Sequence, residues 1–388
     1  MKIFAKLFKR ELKLFFSNSV AVFIFFAAPI GYGLMVGSAY QQAKLTDLNV
    51  LVVDSDDSPL SNKVIDALDD NQYLKVAEVQ FENTGVKQKV VDHDYVAVIY
   101  IPERFEANIL QKRQPEVNVE LNGANMVLGN YASSGIQTVL GTLNAGIEIE
   151  SLKKQGLPEV TARSQYAPFR VSVNRFFNPA NNYLYFVWPG IMGTVIQQVI
   201  LIVMALSFSR EYEENTFRGL VKLSDSPGFL LFIKSFPVFI MTMLMWGVVY
   251  FIFYPAFKVM LPANGFANWS LVLLFTLSNI ALGTTMSVLI PSQLKTTEVL
   301  MAISLPSFIL SGFTWPLEGM PGWLIHYVSD LIPLTHFLSA YRKLQLMGVG
   351  LGTVQREVII LAVMAILFLV VSWIALWFRI HRVEKQQG

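Results

Sequence analysis

Six long stretches without a charged side chain constrain the fold of this chain more than any other feature. They cover residues 14–43, 176–209, 235–257, 259–294, 299–317 and 358–378. Each can hold a helix of about 20 residues, the length that crosses a bilayer. Because lipid offers no hydrogen bonds, backbone at that depth must form helices or be lined by protein. With 53% hydrophobic and only 15% charged residues, the chain is predicted to be an α-helical polytopic membrane protein with six transmembrane helices.

The positions of Lys and Arg in the short loops predict the orientation. If the N-terminus is cytoplasmic, thirteen basic residues lie inside: Lys2, Lys6, Lys9, Arg10, Lys13, Arg210, Arg218, Lys222, Lys234, Lys295, Arg379, Arg382 and Lys385. Only four lie in the short outer loops: Lys258, Arg342, Lys343 and Arg356. Both termini are therefore predicted to be cytoplasmic.

The N-terminal residues 1–18 alternate apolar and basic side chains with helical spacing. They predict an amphipathic helix in the cytoplasmic interface, with its basic side chains reaching lipid headgroups. Residues 19–40 follow as the first transmembrane helix. A cleaved signal peptide, with "GSA" before Tyr40, is the alternative, but the apolar run is too long and the basic region too extended for it.

Between the first two spans lies an acidic segment. Residues 44–175 hold 18 of the 28 acidic residues against 13 Lys and Arg. The stretches "NVLVVDSD", "LKVAEVQF" and "YVAVIYIP" alternate with helical patterns, which predicts an inserted extracytoplasmic α/β domain over residues 41–180. A helix is predicted to start at Ser58 to Ser61, and a longer one to run from about Ala124 to Lys154.

The sequence offers no catalytic site. It has no glycine-rich phosphate loop, so ATP hydrolysis is not expected in this chain. Its four histidines, at positions 93, 326, 336 and 381, are scattered without metal-ligand spacing, and no metal or cofactor is expected. Asp92 to Asp94 could hold a metal, but a solvated turn before a strand is the simpler interpretation. The absence of Cys leaves the redox compartment open.

The stretch "REYEENTFRGLVKLSDSP" after the second span resembles the cytoplasmic loop of ABC exporter permeases of the type-2 family. The residues that match that pattern are Arg210, Glu211, Glu213, Thr216 and Leu220. Asn215 stands where the family usually has Gly, and Asn also tolerates left-handed backbone angles.

A second resemblance covers residues 305–348, which look like the C-terminal signature of the same family. Its marks are Ser311, Gly312, Pro316, Met320, Pro321, Pro333, Leu334, Thr335 and Arg342. A Gly followed by two Pro breaks predicts a re-entrant segment over residues 312–345, which protein must shelter from lipid. Residues 181–388 would then hold transmembrane helices 2–6. The acidic insertion is also similar to members that carry a large extracytoplasmic domain after the first span.

The resemblance implies the permease subunit of an exporter in a bacterial inner membrane. It would move a hydrophobic or amphipathic substrate out of the cytoplasm or inner leaflet. The implied partners are ABC ATPase subunits that bind ATP and Mg, a second permease that is identical or a paralogue, membrane lipid and a periplasmic adaptor. No nucleic acid is expected.

In this interpretation the loop over residues 210–227 couples the permease to its ATPase. Glu211, Glu213 and Glu214 would meet basic groups of the ATPase, and Phe217 would anchor in one of its pockets. The alternative is that these charges are only the solvated flank of a span.

Two polar amides, Gln197 and Gln198, fall inside the second span. Hydrogen bonding between helices is the simpler explanation, and a substrate path is the alternative. A different class of function also stays open: a membrane-anchored ligand-sensing or assembly protein whose external domain carries the activity. An intramembrane enzyme or a proton-coupled carrier is disfavoured, because none of the six neutral stretches holds an ionisable Asp, Glu, Lys, Arg or His.

Overall fold

A computed structural model of the chain describes residues 2–41, 45–166, 177–178 and 182–385. The chain divides into a helical unit, residues 1–43 and 175–388, and an inserted unit, residues 44–174. The predicted end of the inserted domain at residue 180 lies outside the described residues.

The helical unit begins with α1, Lys2–Ser17, and α2, Ser19–Ala39. Asn18 separates the two helices. Its side chain accepts the backbone N–H of Ala21 at 3.1 Å, which caps the first turn of α2. The capping residue Asn18 thus marks the boundary between the amphipathic helix α1 and the apolar helix α2.

The inserted unit contains a four-stranded sheet. Its strands are β1, Leu48–Asp54, β2, Leu74–Gln80, β3, Ala97–Ile101, and β4, Asn118–Leu121. Their order is β2-β1-β3-β4, with β1 parallel to both neighbours and β4 antiparallel to β3. Its helices are α3, Pro59–Asp69, α4, Val86–Asp92, α5, Phe105–Leu110, α6, Met126–Lys154, and α7, Glu159–Tyr166. The central strands β1 and β3 are almost entirely buried, which explains their continuous apolar sequences.

Local predictions within this unit are confirmed. Ser58 caps α3, and the Ser58 and Ser61 side chains bond reciprocally to each other's backbone N–H. Helix α6 covers the predicted long helix. Asp94 adopts a φ of 52° in the tight turn between α4 and β3, so the turn interpretation of Asp92 to Asp94 is correct.

The remaining helices belong to the helical unit. They are α8, Tyr183–Glu213, α9, Phe217–Val221, α10, Pro227–Val248, α11, Tyr254–Ala256, α12, Gly265–Leu289, α13, Gln293–Leu310, α14, Gly322–Tyr327, α15, Pro333–Leu346, and α16, Gln355–Lys385. A π-helical turn, Val249–Phe253, joins α10 to α11 without a break. Short 3-10 turns occur at Leu317–Gly319, Ser329–Leu331 and Leu351–Val354.

Five helical segments among the described residues are long and apolar enough to cross a membrane. They are Ser19–Ala39, Tyr183–Glu213, Pro227–Ala256, Gly265–Leu289 and Leu351–Val383. The structure is therefore that of a polytopic membrane protein. These segments account for five of the six predicted spans. The remaining neutral stretch, 299–317, contains most of α13, a helix of 18 residues whose first two turns carry Lys295 and Glu298.

Helix α8 is the centre of the helical unit, because α2, α12 and α13 all pack on it. It approaches α12 closely at Gly283, where an added Cβ would lie 2.6 Å from Met204 Cβ. Nearby, Ser287 Oγ accepts the backbone N–H groups of Phe208 and Ser209 at 2.8 and 3.0 Å. Small residues and hydroxyl hydrogen bonds of this kind hold helices together in lipid, where hydrophobic burial contributes little.

The chain after α13 is broken, as the Gly and Pro pattern predicts. Gly312 has a φ of +75°, which an L side chain rarely adopts, and it turns the chain away from α13. Short helices follow until Pro333, which occupies the first turn of α15.

Candidate functional site

The first, middle and last helices of the helical unit meet in one apolar cluster beside the predicted coupling loop. Its buried members come from α1, α8, α9, α10, α12 and α16: Leu7, Phe208, Phe217, Leu220, Val221, Leu230, Leu231, Ile233, Val288, Leu376 and Ile380. Helix α1 and the C-terminal part of α16 thus lie at the same end of the unit. We call this end of the molecule the loop end.

Four charged side chains lie beside this cluster, and we call them the charge network: Arg10, Glu11, Glu211 and Lys234. Glu211 is central, with only 2% of its side chain exposed. Its carboxylate lies 2.8 Å from Lys234 Nζ and 2.8 Å from Arg10 Nη2, and it accepts the Thr216 hydroxyl at 2.5 Å. Lys234 Nζ also donates to Glu11 at 3.0 Å, and Arg10 Nη1 donates to Glu11 at 2.6 Å.

The charge network is balanced, with two acids and two bases. Removing charges from water is costly, and the attraction between them repays this only if every partner is present. Burial acts to lower the pKa of Arg10, but the neighbouring Glu211 and Glu11 carboxylates outweigh it and raise that pKa. Arg10 therefore stays charged, and it joins α1 to the end of α8, while Lys234 joins α10 to both.

Two further acidic residues of the loop, Glu213 and Glu214, also have partners within the chain. Glu213 accepts the backbone N–H of Gln293 at 2.9 Å and its side-chain amide at 2.5 Å. Gln293 is the first residue of α13. The Glu213 carboxylate therefore accepts one of the backbone N–H groups that have no partner within that helix. Glu214 pairs with Arg210 at 2.8 Å on an exposed face.

The backbone between α8 and α9 has the conformation that the sequence predicts. Asn215 adopts a φ of 56°, in the left-handed region where related loops carry Gly. The Asn at this position therefore preserves the turn.

Two expectations for the loop do not agree with the structure. Phe217 is only 6% exposed and packs edge-on against Tyr212 with ring centroids 4.9 Å apart, so it is not an exposed anchor for a partner. Glu211 is buried within the charge network and is not available to basic groups of another chain. Phe217 is buried because α9 packs its apolar side onto the helical unit, and Glu211 is buried because it pairs with Lys234 of α10 and Arg10 of α1.

The exposed part of the loop includes the predicted residues Glu213, Glu214 and Thr216, together with residues that sequence reasoning did not assign to the site. Gly219, Lys222, Leu223 and Asp225 are exposed, and Leu223 is a large apolar side chain with 37% exposure. Lys234 was also missed as a site residue. A single Lys eight residues into the apolar start of α10 was the available signal, because a charge there needs a partner.

The predicted family signature forms a second, separate cluster. Arg342 Nη2 donates to the backbone carbonyl of Phe313 at 3.1 Å, and its guanidinium lies 4.6 Å from the Phe313 ring centroid. Ser311 donates to the Phe308 carbonyl at 2.7 Å. Gly312 packs so closely on Leu317 that a Cβ would lie 2.6 Å from its Cγ.

The prolines of the signature mark helix boundaries. Pro316 precedes the turn Leu317–Gly319, Pro321 precedes α14 and Pro333 starts α15. These residues shape the backbone and do not line the charge network.

The two glutamines of the second span behave differently. Gln197 is 2% exposed, and its Nε2 donates to Ser307 Oγ of α13 at 3.0 Å, which supports the helix-to-helix explanation. Gln198 is half-buried. Gln198 is therefore the better candidate of the two for a residue that contacts substrate.

We expect Gln198→Leu to change substrate preference at least threefold while leaving assembly intact, because it removes a polar group without disturbing the Gln197–Ser307 bond. Relative transport of chemically distinct substrates measures this. Gln197→Leu is the matched control and should reduce stability instead. Unchanged preference in Gln198→Leu would refute a substrate role.

No site for a metal occurs in the part of the chain that the structure describes, since no three His, Asp or Glu side chains come close enough to hold an ion there. The arrangement supports a structural role, in which electrostatic contacts hold helices together. It joins α1, α8, α10 and α13 at the loop end through charged contacts.

Several known proteins are similar to this chain. It is 28% identical over 207 residues to the probable multidrug ABC transporter permease YbhS of Escherichia coli K12, which covers 53% of this chain and 54% of that protein. The probable multidrug ABC transporter permease YbhR of the same organism is 25% identical over 258 residues, 66% of each chain. The inner membrane transport permease YhhJ, also from Escherichia coli K12, is 21% identical over 324 residues, 81% of this chain and 82% of that protein.

The match to YbhS covers about half of that protein's length. A family model described as ABC-2 family transporter protein matches residues 19–374, which include all five candidate spans up to residue 374 and the inserted unit. Because that match covers most of the sequence, the chain belongs to the ABC-2 family of transporter proteins.

Proposed function

We propose that this chain is the permease subunit of an ABC exporter, and that a separate partner chain hydrolyses ATP. The family membership supports the permease role. The sequence has no phosphate-binding loop of its own, which supports a partner with bound ATP and Mg. The observation that carries the coupling mechanism is the charge network, which joins α1, α8 and α10 at the loop end.

Both termini are proposed to be cytoplasmic, with six crossings between them. Helix α1 and the C-terminal part of α16 lie at the same end of the unit, which supports an even number of crossings. Helix α13 supplies the sixth, because it runs antiparallel to α8. The contacts pair Glu213 with Gln293, Ser209 with Thr296, Gln197 with Ser307 and Gly190 with Phe313.

The length of α13 supports this proposal. The 18 residues from Gln293 to Leu310 rise about 27 Å as a helix, close to the roughly 30 Å thickness of the hydrocarbon core. Lys295 and Glu298 lower the mean hydropathy of this helix. Both lie in its first two turns, near the loop end. The segment after Phe313 would then be re-entrant, and the inserted unit, which follows α2, would be extracytoplasmic.

The loop end is proposed to receive the ATPase. Its exposed face, with Lys222, Leu223 and Asp225, offers one apolar side chain among charges of both signs, a pattern that suits a polar and specific contact. Displacement of α9 would move the end of α8 and the start of α10 through Glu211 and Lys234. Glu213 would carry the same displacement to the start of α13.

The proposed cargo is hydrophobic or amphipathic, moved out of the cytoplasm or inner leaflet of a bacterial inner membrane. The relatives YbhS and YbhR are named as probable multidrug permeases, which supports this class. A second permease, identical or paralogous, and a periplasmic adaptor complete the proposed assembly. The test is co-expression with candidate ATPase chains, purification and an ATPase assay. A chain that neither binds an ATPase nor self-associates would favour the anchored sensor instead.

The orientation can be tested directly because the chain contains no Cys. We expect a Cys at exposed Asp225 to react with a membrane-impermeant maleimide only in inside-out vesicles. A Cys at exposed Ala263, which precedes α12, should react from outside the cell. The opposite pattern would overturn the proposed mechanism, since the loop could not then meet a cytoplasmic ATPase.

We expect Glu213→Arg to insert normally but to uncouple ATP hydrolysis from transport. The substitution removes the acceptor for Gln293 and places a cation at the N-terminus of α13, where the helix dipole opposes it. Transport per ATP hydrolysed should fall about tenfold or more, as measured in proteoliposomes with the ATPase partner.

The matched control for this experiment is Glu214→Arg. Among the described residues Glu214 is exposed and pairs with Arg210 one turn away, so its loss should change coupling by less than about twofold. Equal coupling in Glu213→Arg and the wild type would contradict the role given to Glu213.

A further inference from the structure

The described residues of the inserted unit leave a large groove open. The groove lies between α3, α5, the chain from Gln111 to Val117 and the C-terminal half of α6, and it has a volume of about 840 Å³. Cavities that bind small organic ligands usually measure about 300–1,000 Å³. Nothing in the architecture of the sheet requires an opening of this size.

One side of the groove is apolar, while slightly more than half of the exposed lining as a whole is polar. Val64 and Phe105 form its buried part and belong to the core of the inserted unit. Ile109, Leu140 and Leu143 continue that core outward and are only partly buried. The groove is therefore an uncovered extension of a hydrophobic core, and an apolar ligand would remove this surface from water.

Two exposed basic residues, Lys112 and Arg113, also line the groove. Neither side chain makes an ion pair or hydrogen bond with any residue that the structure describes. One acid, Glu148, lines the groove from α6, so the local charge stays positive by one. Polar side chains from α6, including Asn144 and Ser151, complete the lining.

The backbone at this point is held in an uncommon conformation. Lys112 follows α5 with a φ of 57°, a position that Gly normally occupies at the end of a helix. The N–H groups of Lys112 and Arg113 donate to the carbonyls of Ile109 and Asn108 at 3.0 and 2.8 Å, which closes the turn. Lys112 thus occupies a backbone position at the edge of the groove where Gly would be less strained.

We propose that this groove binds an amphipathic molecule with a long apolar body and an anionic group. The apolar body packs against Phe105, Ile109 and Leu143, and the anionic group pairs with Lys112 and Arg113. The groove favours an anion over a cation or a neutral lipid. Its two basic residues, Lys112 and Arg113, outnumber its single carboxylate, Glu148. This site goes beyond the proposed export function, and it holds whether or not the chain pairs with an ATPase.

The test uses the full chain in nanodiscs of zwitterionic lipid and a long-chain fatty acid that carries a photoactivatable diazirine. After irradiation, peptide mass spectrometry locates the label. We expect labelled peptides from residues 105–117 and 140–152. A long-chain amine with the same diazirine should label these peptides much less.

Charge variants separate this site from general partitioning into lipid. Lys112→Glu combined with Arg113→Glu should reduce labelling of the groove about tenfold or more, since contacts to charged groups contribute that much to binding. Lys75→Glu combined with Lys87→Glu changes the same charge at exposed positions of the inserted unit that do not line the groove, and should leave labelling unchanged. Label confined to the transmembrane helices, or equal loss in both double variants, would overturn the proposal.

Discussion

Glu211→Ala is expected to lower the free energy of unfolding of the helical unit by about 3–5 kcal/mol, the usual cost of removing one partner from a buried ion pair. The substitution leaves Lys234 almost fully buried with one partner, Glu11, and leaves Arg10 with the same single partner. It also removes the acceptor of the Thr216 hydroxyl. Unfolding in mixed micelles of increasing denaturing detergent, followed by tryptophan fluorescence, measures the change.

Two further variants test the cause of this loss. Glu214→Ala removes a carboxylate three residues away that is 46% exposed, and should cost no more than about 0.5 kcal/mol. Glu211→Leu combined with Lys234→Met removes a positive and a negative charge together and leaves Arg10 paired with Glu11. This double variant should be more stable than Glu211→Ala, because no uncompensated charge stays buried. If Glu211→Ala is as stable as Glu214→Ala, the charge network does not hold the loop end together.

Trp188→Ala is expected to cost about 3–5 kcal/mol, because it opens a large cavity between α2, α8 and α11. The indole is fully buried, and its ring centroid lies 5.5 and 6.1 Å from those of Tyr254 and Phe253. Its Nε1–H donates to the backbone carbonyl of Gly33 in α2 at 3.0 Å. Trp188 therefore fastens the first span to α8, and the same detergent titration measures its contribution.

Controls distinguish packing from hydrogen bonding at this position. Trp188→Phe keeps much of the ring contact and loses only the N–H donor, so it should cost less than Trp188→Ala. Trp323→Ala removes an indole that is 63% exposed and should change stability little. A similar loss in Trp188→Ala and Trp323→Ala would show that lipid replaces the lost contacts at the buried site as readily as at the exposed one.

The local features of the fold were predictable because they depend on short-range chemistry. Five of the six neutral stretches became apolar helices, since the distribution of charge along the chain reports which segments tolerate lipid. The helix start at Ser58 and the left-handed turn at Asn215 follow from side-chain and backbone preferences of single residues. The segment after Gly312 breaks where Gly and Pro predict a break.

The sequence predicted where the loop lies along the chain but not how its side chains pair. The loop over residues 210–227 does lie where several helices end. Its acids do not face outward as a group, because Glu211 turns inward to Lys234 and Glu213 bonds to the start of α13. Phe217 is buried by the same folding back of α9. Sequence spacing gives no information on such pairings, since Glu11 and Lys234 are 223 positions apart.

By itself, the sequence determined which segments are helical and apolar, where helices begin and turn, and that the acidic insertion combines strands with helices. These properties arise from the preferences of neighbouring residues for water, lipid and backbone angles. Only the tertiary structure decided that α1 and the C-terminal part of α16 lie at one end, that α13 runs along α8 and that four charges from three helices neutralise one another. Such contacts depend on how whole helices pack, and packing joins residues that no local pattern relates.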